Sequence, residues 1–364
     1  MERFRACFAE LDDPRTGNAQ RHELDEMVMI ALLATLCGAE TCVDMALFGR
    51  SKEPLLRRFL RLPGGVPSHD TFSRVFRRLD PVAFEGCFAR YLAALGERVQ
   101  GVVAIDGKTA RRSFDRQAGR APLHLISAWA CEQRLVLGQL RVAGKSNEIP
   151  AVPQLLALLA LDGCIVTADA LHCQNKTAAA ILARGGDYVL ALKANRPALH
   201  EDVRLRLDDP EAPPDDLATT TDGDHGRIET RHATVVHDIA WLADGHGFPG
   251  LRAIGKVTAR REQNGRTTTA TRYYLLSRPF TATRLLEVVR AHWQIENRLH
   301  WVLDVVLDED QARARKDHAP ENLARLRRFA LNVLRANRDP GSTRGKIKRA
   351  GWDDAFLLQL LATA

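Results

Sequence analysis

From about residue 98 the chain alternates strand-length apolar runs with helical ones, and their order admits few topologies. Residues 102–105 (VVAI) read as a strand, and LHLISAWACEQRLVLGQLRVAG reads as two more joined at the polar turn Glu132-Gln133-Arg134. Residues 149–161 (IPAVPQLLALLAL) form an apolar helix that begins near its prolines and stops at Gly163; CIVTAD then gives a fourth strand closing on Asp169. NKTAAAILARGG is a helix with a glycine stop, and DYVLALKAN is a fifth strand. The order β-β-β-α-β-α-β predicts a mixed sheet with flanking helices, the α/β class.

The segments on either side read differently. Residues 23–36 (ELDEMVMIALLATL) have helical apolar spacing and an acidic first turn that suits the helix dipole. In PSHDTFSRVFRRLD, Ser68 can cap a helix that places Phe72, Val75, Phe76 and Leu79 on one face and Arg74, Arg77 and Arg78 on the other; a second helix follows Pro81. Two readings stay open: a helix-turn-helix with its arginine helix toward DNA, or a small helical bundle with a basic exterior. Residues 208–224 (DDPEAPPDDLATTTDGD) predict an exposed loop. RIETRHATVVH, LRAIGKVTARRE and RTTTATRYYLLS predict antiparallel strands inserted before one long helix from about Thr281 to about Asp304.

The net charge of +7 is unevenly distributed. Residues 1–100 balance 14 basic against 14 acidic side chains, yet residues 50–78 hold eight basic against two acidic, and residues 311–350 hold twelve against three. Clustered positive charge attracts phosphate backbones through counterion release, or forms a solvated face with no partner. There is no run of about 18 uncharged apolar residues and no apolar leader-like stretch at the start, so neither a membrane span nor a signal peptide is expected. Seven cysteines without a C-x-x-C pair support neither a disulfide framework nor a structural zinc site, and a reducing cytoplasm is the simpler expectation.

Three acids stand out. Asp106 follows the first strand and Asp169 the fourth, so neighbouring strands would bring them out at one edge, and a helix across that edge could add Glu296. Three converging carboxylates make a hard oxygen site suited to Mg²⁺ or Mn²⁺, with Lys108, Arg111 and Arg112 placed to hold a polyanion. Asp304, Asp308, Glu309 and Asp310 are rival acids. His292, Glu296 and His300 fall on one helical face at four-residue spacing, so a His/Glu zinc site competes, although H-E-x-x-H is absent. Trp293 and Trp301 share roughly one face of the helix with each other and are expected to pack in the core more than to serve as base-stacking platforms.

Several stretches, in order, carry a family resemblance: "FAELDDPR", "AIDGKTARRS", "VTADALHCQ", "YVLALKANR", "HGRIETR", "HWQIENRLHWVLDVVLDED" and "APENLARLRRFALNVLR". From about residue 5 to 340 the chain resembles the DDE transposases of bacterial insertion sequences, especially the H-repeat-associated group. The resemblance implies a helical, DNA-end-binding region over 1–97, an RNase H-like catalytic domain over 98–340 with a β-rich insertion at about 200–278, and a basic C-terminal tail over 341–364. It implies Asp106, Asp169 and Glu296 as the catalytic metal-binding triad, with Mg²⁺ or Mn²⁺ as cofactor. Related enzymes often carry Tyr-x2-Arg-x3-Glu-x6-Lys; here those positions hold Val289, His292, Glu296 and Leu303, leaving Arg290, His292 and Arg298 to grip DNA. His172 and Lys193 are further DNA-contact candidates, as is Arg227, whose cluster with His225 and Glu229 reads equally as a hairpin salt-bridge set. The function implied is cleavage and strand transfer at terminal inverted repeats by a homodimer on double-stranded DNA, in the nucleoid region of the cytoplasm. A nuclease that does not join, and a catalytically silent DNA-binding derivative, are the alternatives.

Overall fold

The computed structural model describes residues 2–17, 20–94, 99–142, 148–224 and 226–363. Six helices come first: α1 (Glu2–Phe8), α2 (Leu24–Leu36), α3 (Cys42–Ser51), α4 (Glu53–Leu56), α5 (His69–Arg78) and α6 (Pro81–Ala94). The expected cap on α5 is present, Ser68 Oγ accepting from Thr71 N–H, and Phe72, Val75, Phe76 and Leu79 are all buried. Strands β1 (Gly101–Ala110), β2 (Leu123–Ala130) and β3 (Leu135–Val142) then form an antiparallel meander. After α7 (Glu148–Ala157), β4 (Cys164–Ala168) pairs parallel to β1; after α8 (Asn175–Leu182), β5 (Asp187–Leu192) pairs parallel to β4.

The chain continues through α9 (Pro197–Asp208), β6 (Asp216–Asp224), β7 (Arg227–Val236), α10 (Ala240–His246), β8 (Ala253–Gln263) and β9 (Arg266–Leu276). β9 pairs antiparallel with β5, so the β-rich segment extends the central sheet into one layer of order β3-β2-β1-β4-β5-β9-β8-β7-β6. Asn264 and Gly265, both at positive φ, close the β8–β9 hairpin in a two-residue turn. β6 corrects an expectation, because it lies within the segment read as an exposed loop. Its core, LATTT, has no alternating large apolar residues, but threonine suits an extended backbone, and β6 pairs with β7 from Asp216 to Asp224.

Period-two alternation sorts the central strands between two cores. Val102 and Ala104 of β1, Ile165 of β4 and Val189 of β5 face a core built with α1, α2, α5 and α6, and with the later helices α11 (Ala282–His292), α12 (Trp301–Val305), α13 (Ala319–Ala336), α14 (Thr343–Trp352) and α15 (Asp354–Thr363). Val103, Ile105, Val166 and Leu190 face the other, under α7, α8, α9 and α10. The first and last parts of the chain therefore share one core, and residues 341–364 are not a tail: Ile347, Phe356, Leu357 and Leu360 are buried. The expected boundary near residue 97 falls outside the described residues.

Part of the basic run at 311–350 is also structural. Arg325 of α13 donates to Glu85 of α6 (2.6 Å) and to Glu321 (2.9 Å), and Arg328 donates to Glu309 (2.6 Å); all five residues are buried. The open edge of β3 is covered by the same helices. Asn332 accepts from Val136 N–H and donates to Val136 O, both at 2.9 Å, while Glu85 accepts from Gln139 N–H at 3.0 Å.

Burial opposes ionisation of Glu309, yet Arg328 and then Lys108 hold its carboxyl down to about 2. A depressed folded pKa contributes stability above the ordinary carboxylate range that is lost as pH falls through the folded value. Arg328→Ala, which strands a buried carboxylate, is expected to lower unfolding free energy at neutral pH by about 3–5 kcal/mol. Denaturant titration checks this against the exposed Arg338→Ala, which should stay within about 0.5 kcal/mol.

Candidate active site

The last aligned pair of the parallel β1–β4 ladder is Ile105 with Ala168, so the next residue on each strand is an aspartate: Asp106 and Asp169. Both have the parity of Ala104 and Thr167, which places their side chains on the face that α11 covers. β1 does not end at Asp106, as expected, but continues along β2 to Ala110, so Asp106 stands where β4 stops. Carboxyl ends of parallel strands are where open α/β sheets build their sites.

Thr281 caps α11 by accepting from Arg284 N–H (3.2 Å), and the helix crosses the sheet toward β1. The single helix expected to Asp304 is interrupted. Residues Ile295–His300 form a π turn, in which the Trp301 N–H bonds to the Glu296 carbonyl, before α12 resumes. Such turns admit one extra residue and recur at functional sites. Here it carries Glu296 and His300 over Asp106.

The resulting cleft, of about 160 Å³, is lined by Asp106, Asp169 and Glu296 together with Thr167, Lys193, Arg272, His292 and Trp293. Burial pushes the Asp106 carboxyl up to about 8, with the Glu296 and Asp169 charges adding to the effect. Glu296 is half exposed and moves the opposite way, held down by its contact with His300. Without a cation, the pair thus keeps a proton on Asp106, as like charges at short range require. Oxygen donors that repel one another in a partly buried cleft fit a hard divalent cation.

A groove of about 980 Å³ adjoins the cleft, sharing Arg272, Val289 and Trp293 with it. Arg227, Arg231, Arg261, Arg290 and Arg298 line it, against Glu229 and Glu287. Three of the expected DNA-contact residues, Arg227, Arg290 and Arg298, are therefore brought together; Lys193 and His292 line the cleft itself. Arg111 and Arg112 are exposed beyond Asp106, and Arg74 and Arg78 lie on the open face of α5.

Other expectations are corrected. Lys108 does not face solvent: it is buried, with Nζ 2.6 Å from Asp304, 3.2 Å from Glu309 and 3.4 Å from Asp310. These rival acids thus serve as its counter-charges. His172 is buried on the opposite face of the sheet, 3.2 Å from Glu148, and cannot touch DNA there. Arg77 is tied to Asp317 at 2.7 Å. A zinc site through His292 fails, because its Nδ1 bonds to Thr167 Oγ1 (2.9 Å); Asp169 lines the cleft but, like His292, stands outside the tighter Asp106–Glu296–His300 group. Trp293 and Trp301 are 47% and 55% exposed instead of packed in the core, and Arg272 sits over the Trp293 ring. Arg227 and Arg231 both pair with Glu229, which is the hairpin salt-bridge set; His225 lies outside the described residues.

Residue types alone did not single out His124, Glu148 or Arg272. Thr109 Oγ1 contacts His124 Nδ1 (2.7 Å), His124 Nε2 contacts Glu148 Oε1 (2.5 Å), and Glu148 Oε2 contacts His172. This chain, buried from His124 to His172, ties β1, β2 and α7 to the 3-10 turn Ala170–His172 that follows Asp169. Gly107 was its one sequence signal: a Cβ there would lie 2.9 Å from His124 Nε2.

The raised Asp106 pKa has a definite sign. Its stabilising contribution is full below the ordinary value of 3.8 and is lost as pH rises toward about 8. In chelator, wild-type protein should therefore lose melting temperature relative to Asp106→Asn as pH is raised from 5 to 8.5. A pH-independent difference in thermal unfolding would show that Asp106 carries no such proton.

Comparison with known proteins agrees with this geometry. The family model described as "Transposase DDE domain" matches residues 97–333, and one described as "DDE_Tnp_1-associated" matches residues 5–92. An uncharacterised protein encoded in the dhlA 3' region of Xanthobacter autotrophicus is 46% identical over 274 residues, covering 74% of this chain and 92% of that protein. The H repeat-associated protein YhhI of Escherichia coli K12, named as a transposase, is 33% identical over 350 residues, covering 94% of this chain and 93% of its own. YncI of Escherichia coli O157:H7, also so named, is 32% identical over 361 residues, covering 97% and 93%. The chain belongs to the DDE transposase family of nucleotidyl-transfer enzymes, in its H-repeat-associated group, with an RNase H-like α/β fold.

Proposed function

We propose that the protein mobilises an insertion sequence. It binds the terminal inverted repeats, cuts a phosphodiester at the element's end, and joins the released 3′-hydroxyl to target DNA. The observation that carries this reading is that Asp106, Asp169 and Glu296 line one cleft which opens into an arginine-lined groove.

The carboxylates hold and orient Mg²⁺ or Mn²⁺, for which their oxygen donors and mutual repulsion are suited. Held there by Asp106, Asp169 and Glu296, such ions would supply Lewis-acid activation of an attacking oxygen and charge stabilisation of the leaving one at a phosphodiester. Lys193 and Arg272, at the cleft wall, add positive charge beside the scissile phosphate. Arg290 is paired with Asp222 and Arg227 with Glu229, so each exchanges an acid for a phosphate as DNA enters the groove. Arg298 adds a further cation to that wall. Arg74 and Arg78 on α5, with Arg111 and Arg112 past β1, extend the contact to flanking duplex. These contacts set register without reading bases. Joining two ends in one event calls for two copies of the site, hence a homodimer on DNA.

Asp106→Asn, Asp169→Asn and Glu296→Gln should each lower metal-dependent cleavage of an end-bearing duplex by about a thousandfold or more. All three should still bind that duplex. Arg290→Glu with Arg298→Glu should weaken binding and reduce the slope of log affinity against log salt by about one per arginine lost. Gel assays of cleavage and joining separate the outcomes. Cleavage without joined product would identify a nuclease; binding with no metal-dependent cleavage by wild type would identify a silent DNA-binding protein.

A further inference from the structure

His300 is not one of the three carboxylates, and nothing above gives it a part in the chemistry. It is buried, 6% exposed, behind the cleft wall, yet its ring faces two of the cleft's carboxylates: Nδ1 lies 3.4 Å from Asp106 Oδ2 and 3.5 Å from Glu296 Oε2. Those separations are long for charge-assisted hydrogen bonds, which close to about 2.7–2.9 Å. They suit neighbouring donors on one cation, since atoms at about 2.0–2.2 Å from a common centre stand roughly 2.8–3.6 Å apart at octahedral to tetrahedral angles. One ligand atom from each of Asp106, Glu296 and His300 lies within 4.8 Å of the other two. The other ring nitrogen, Nε2, is buried with no hydrogen-bond partner among the described residues, so nothing there holds the imidazole to another task. The π turn fixes the arrangement by keeping Glu296 and His300 in a single backbone unit over β1.

The structure assigns His300 as a third protein ligand, through Nδ1, to the cation that Asp106 and Glu296 hold, an assignment that rests on the metal-dependent reading above. The position is then a mixed oxygen–nitrogen site. Mg²⁺ holds to oxygen donors and to its waters, whereas the first-row divalent ions, Mn²⁺ included, accept an imidazole more readily, so the site should favour Mn²⁺ over Mg²⁺.

The test uses the full chain, wild type and the variants His300→Gln, His300→Ala and Asp106→Asn, with Mn²⁺ as the probe. Pulsed electron paramagnetic resonance of bound Mn²⁺ should show coupling to an imidazole ¹⁴N in wild type and lose it in both His300 variants. Their Mn²⁺ affinity should fall about tenfold, while Mg²⁺ affinity, read by competition, should fall less, so that the Mn²⁺ preference collapses. If wild type binds Mn²⁺, Asp106→Asn does not, and no nitrogen coupling is seen, the carboxylate site stands and the His300 assignment is overturned. If wild type binds no Mn²⁺ at millimolar concentration, the metal-dependent reading falls and takes this assignment with it. The wild-type spectrum needs no substitution, so a variant that fails to fold leaves the test intact.

Discussion

Two parallel strands aligned at Ile105 and Ala168 place a carboxylate at the next position of each, on the same face and beside one another. That juxtaposition is unfavourable in isolation: burial and two neighbouring acids push Asp106 up to about 8. The rest of the architecture supports it. A nine-stranded sheet between two apolar cores keeps β1 and β4 in register, a helix crosses the face on which the aspartates emerge, and a π turn in that path adds a third carboxylate. On the far side, the Thr109–His124–Glu148–His172 chain anchors the backbone turn that follows Asp169.

The succession of central strands and helices, and Asp169 just past the end of β4, were legible because they depend on local apolar runs and stop signals. So was the Ser68 cap, whose motif spans only a few residues. The end of β1 was not, since that strand runs past Asp106 to Ala110. β6 was not legible, since a threonine-rich strand pairing on an exposed sheet needs no apolar alternation. The π turn left no mark either, as HWQIENRLHW is compatible with an unbroken helix. Long-range pairing was the largest loss. Nothing near Lys108 announces that Asp304, Glu309 and Asp310 surround it, nor near Arg325 that Glu85 awaits it.

Positive charge therefore does two separate jobs here. Lys108, Arg325 and Arg328 are internal counterions, themselves buried, and a charge count along the chain cannot distinguish them from the arginines that line the groove. The groove set is partly paired too, but with acids at or near the surface, where exchange with another anion is inexpensive in free energy. Depth, more than number, separates the structural cations from those free to meet a polyanion.

The closure of the β3 edge has a bearing on how the polypeptide is made. Asn332 reaches back 196 residues to satisfy Val136, and α2, apolar on nearly all sides, shares its core with α13 and α15. During vectorial synthesis the first sheet edge and this sticky helix leave the ribosome long before the segments that cover them, a window in which other chains can pair or adhere. A reading-frame break between Glu296 and α13 would make that window permanent. Such a product would lack the Asn332 cover on its sheet edge even though every residue of the carboxylate triad had already been translated.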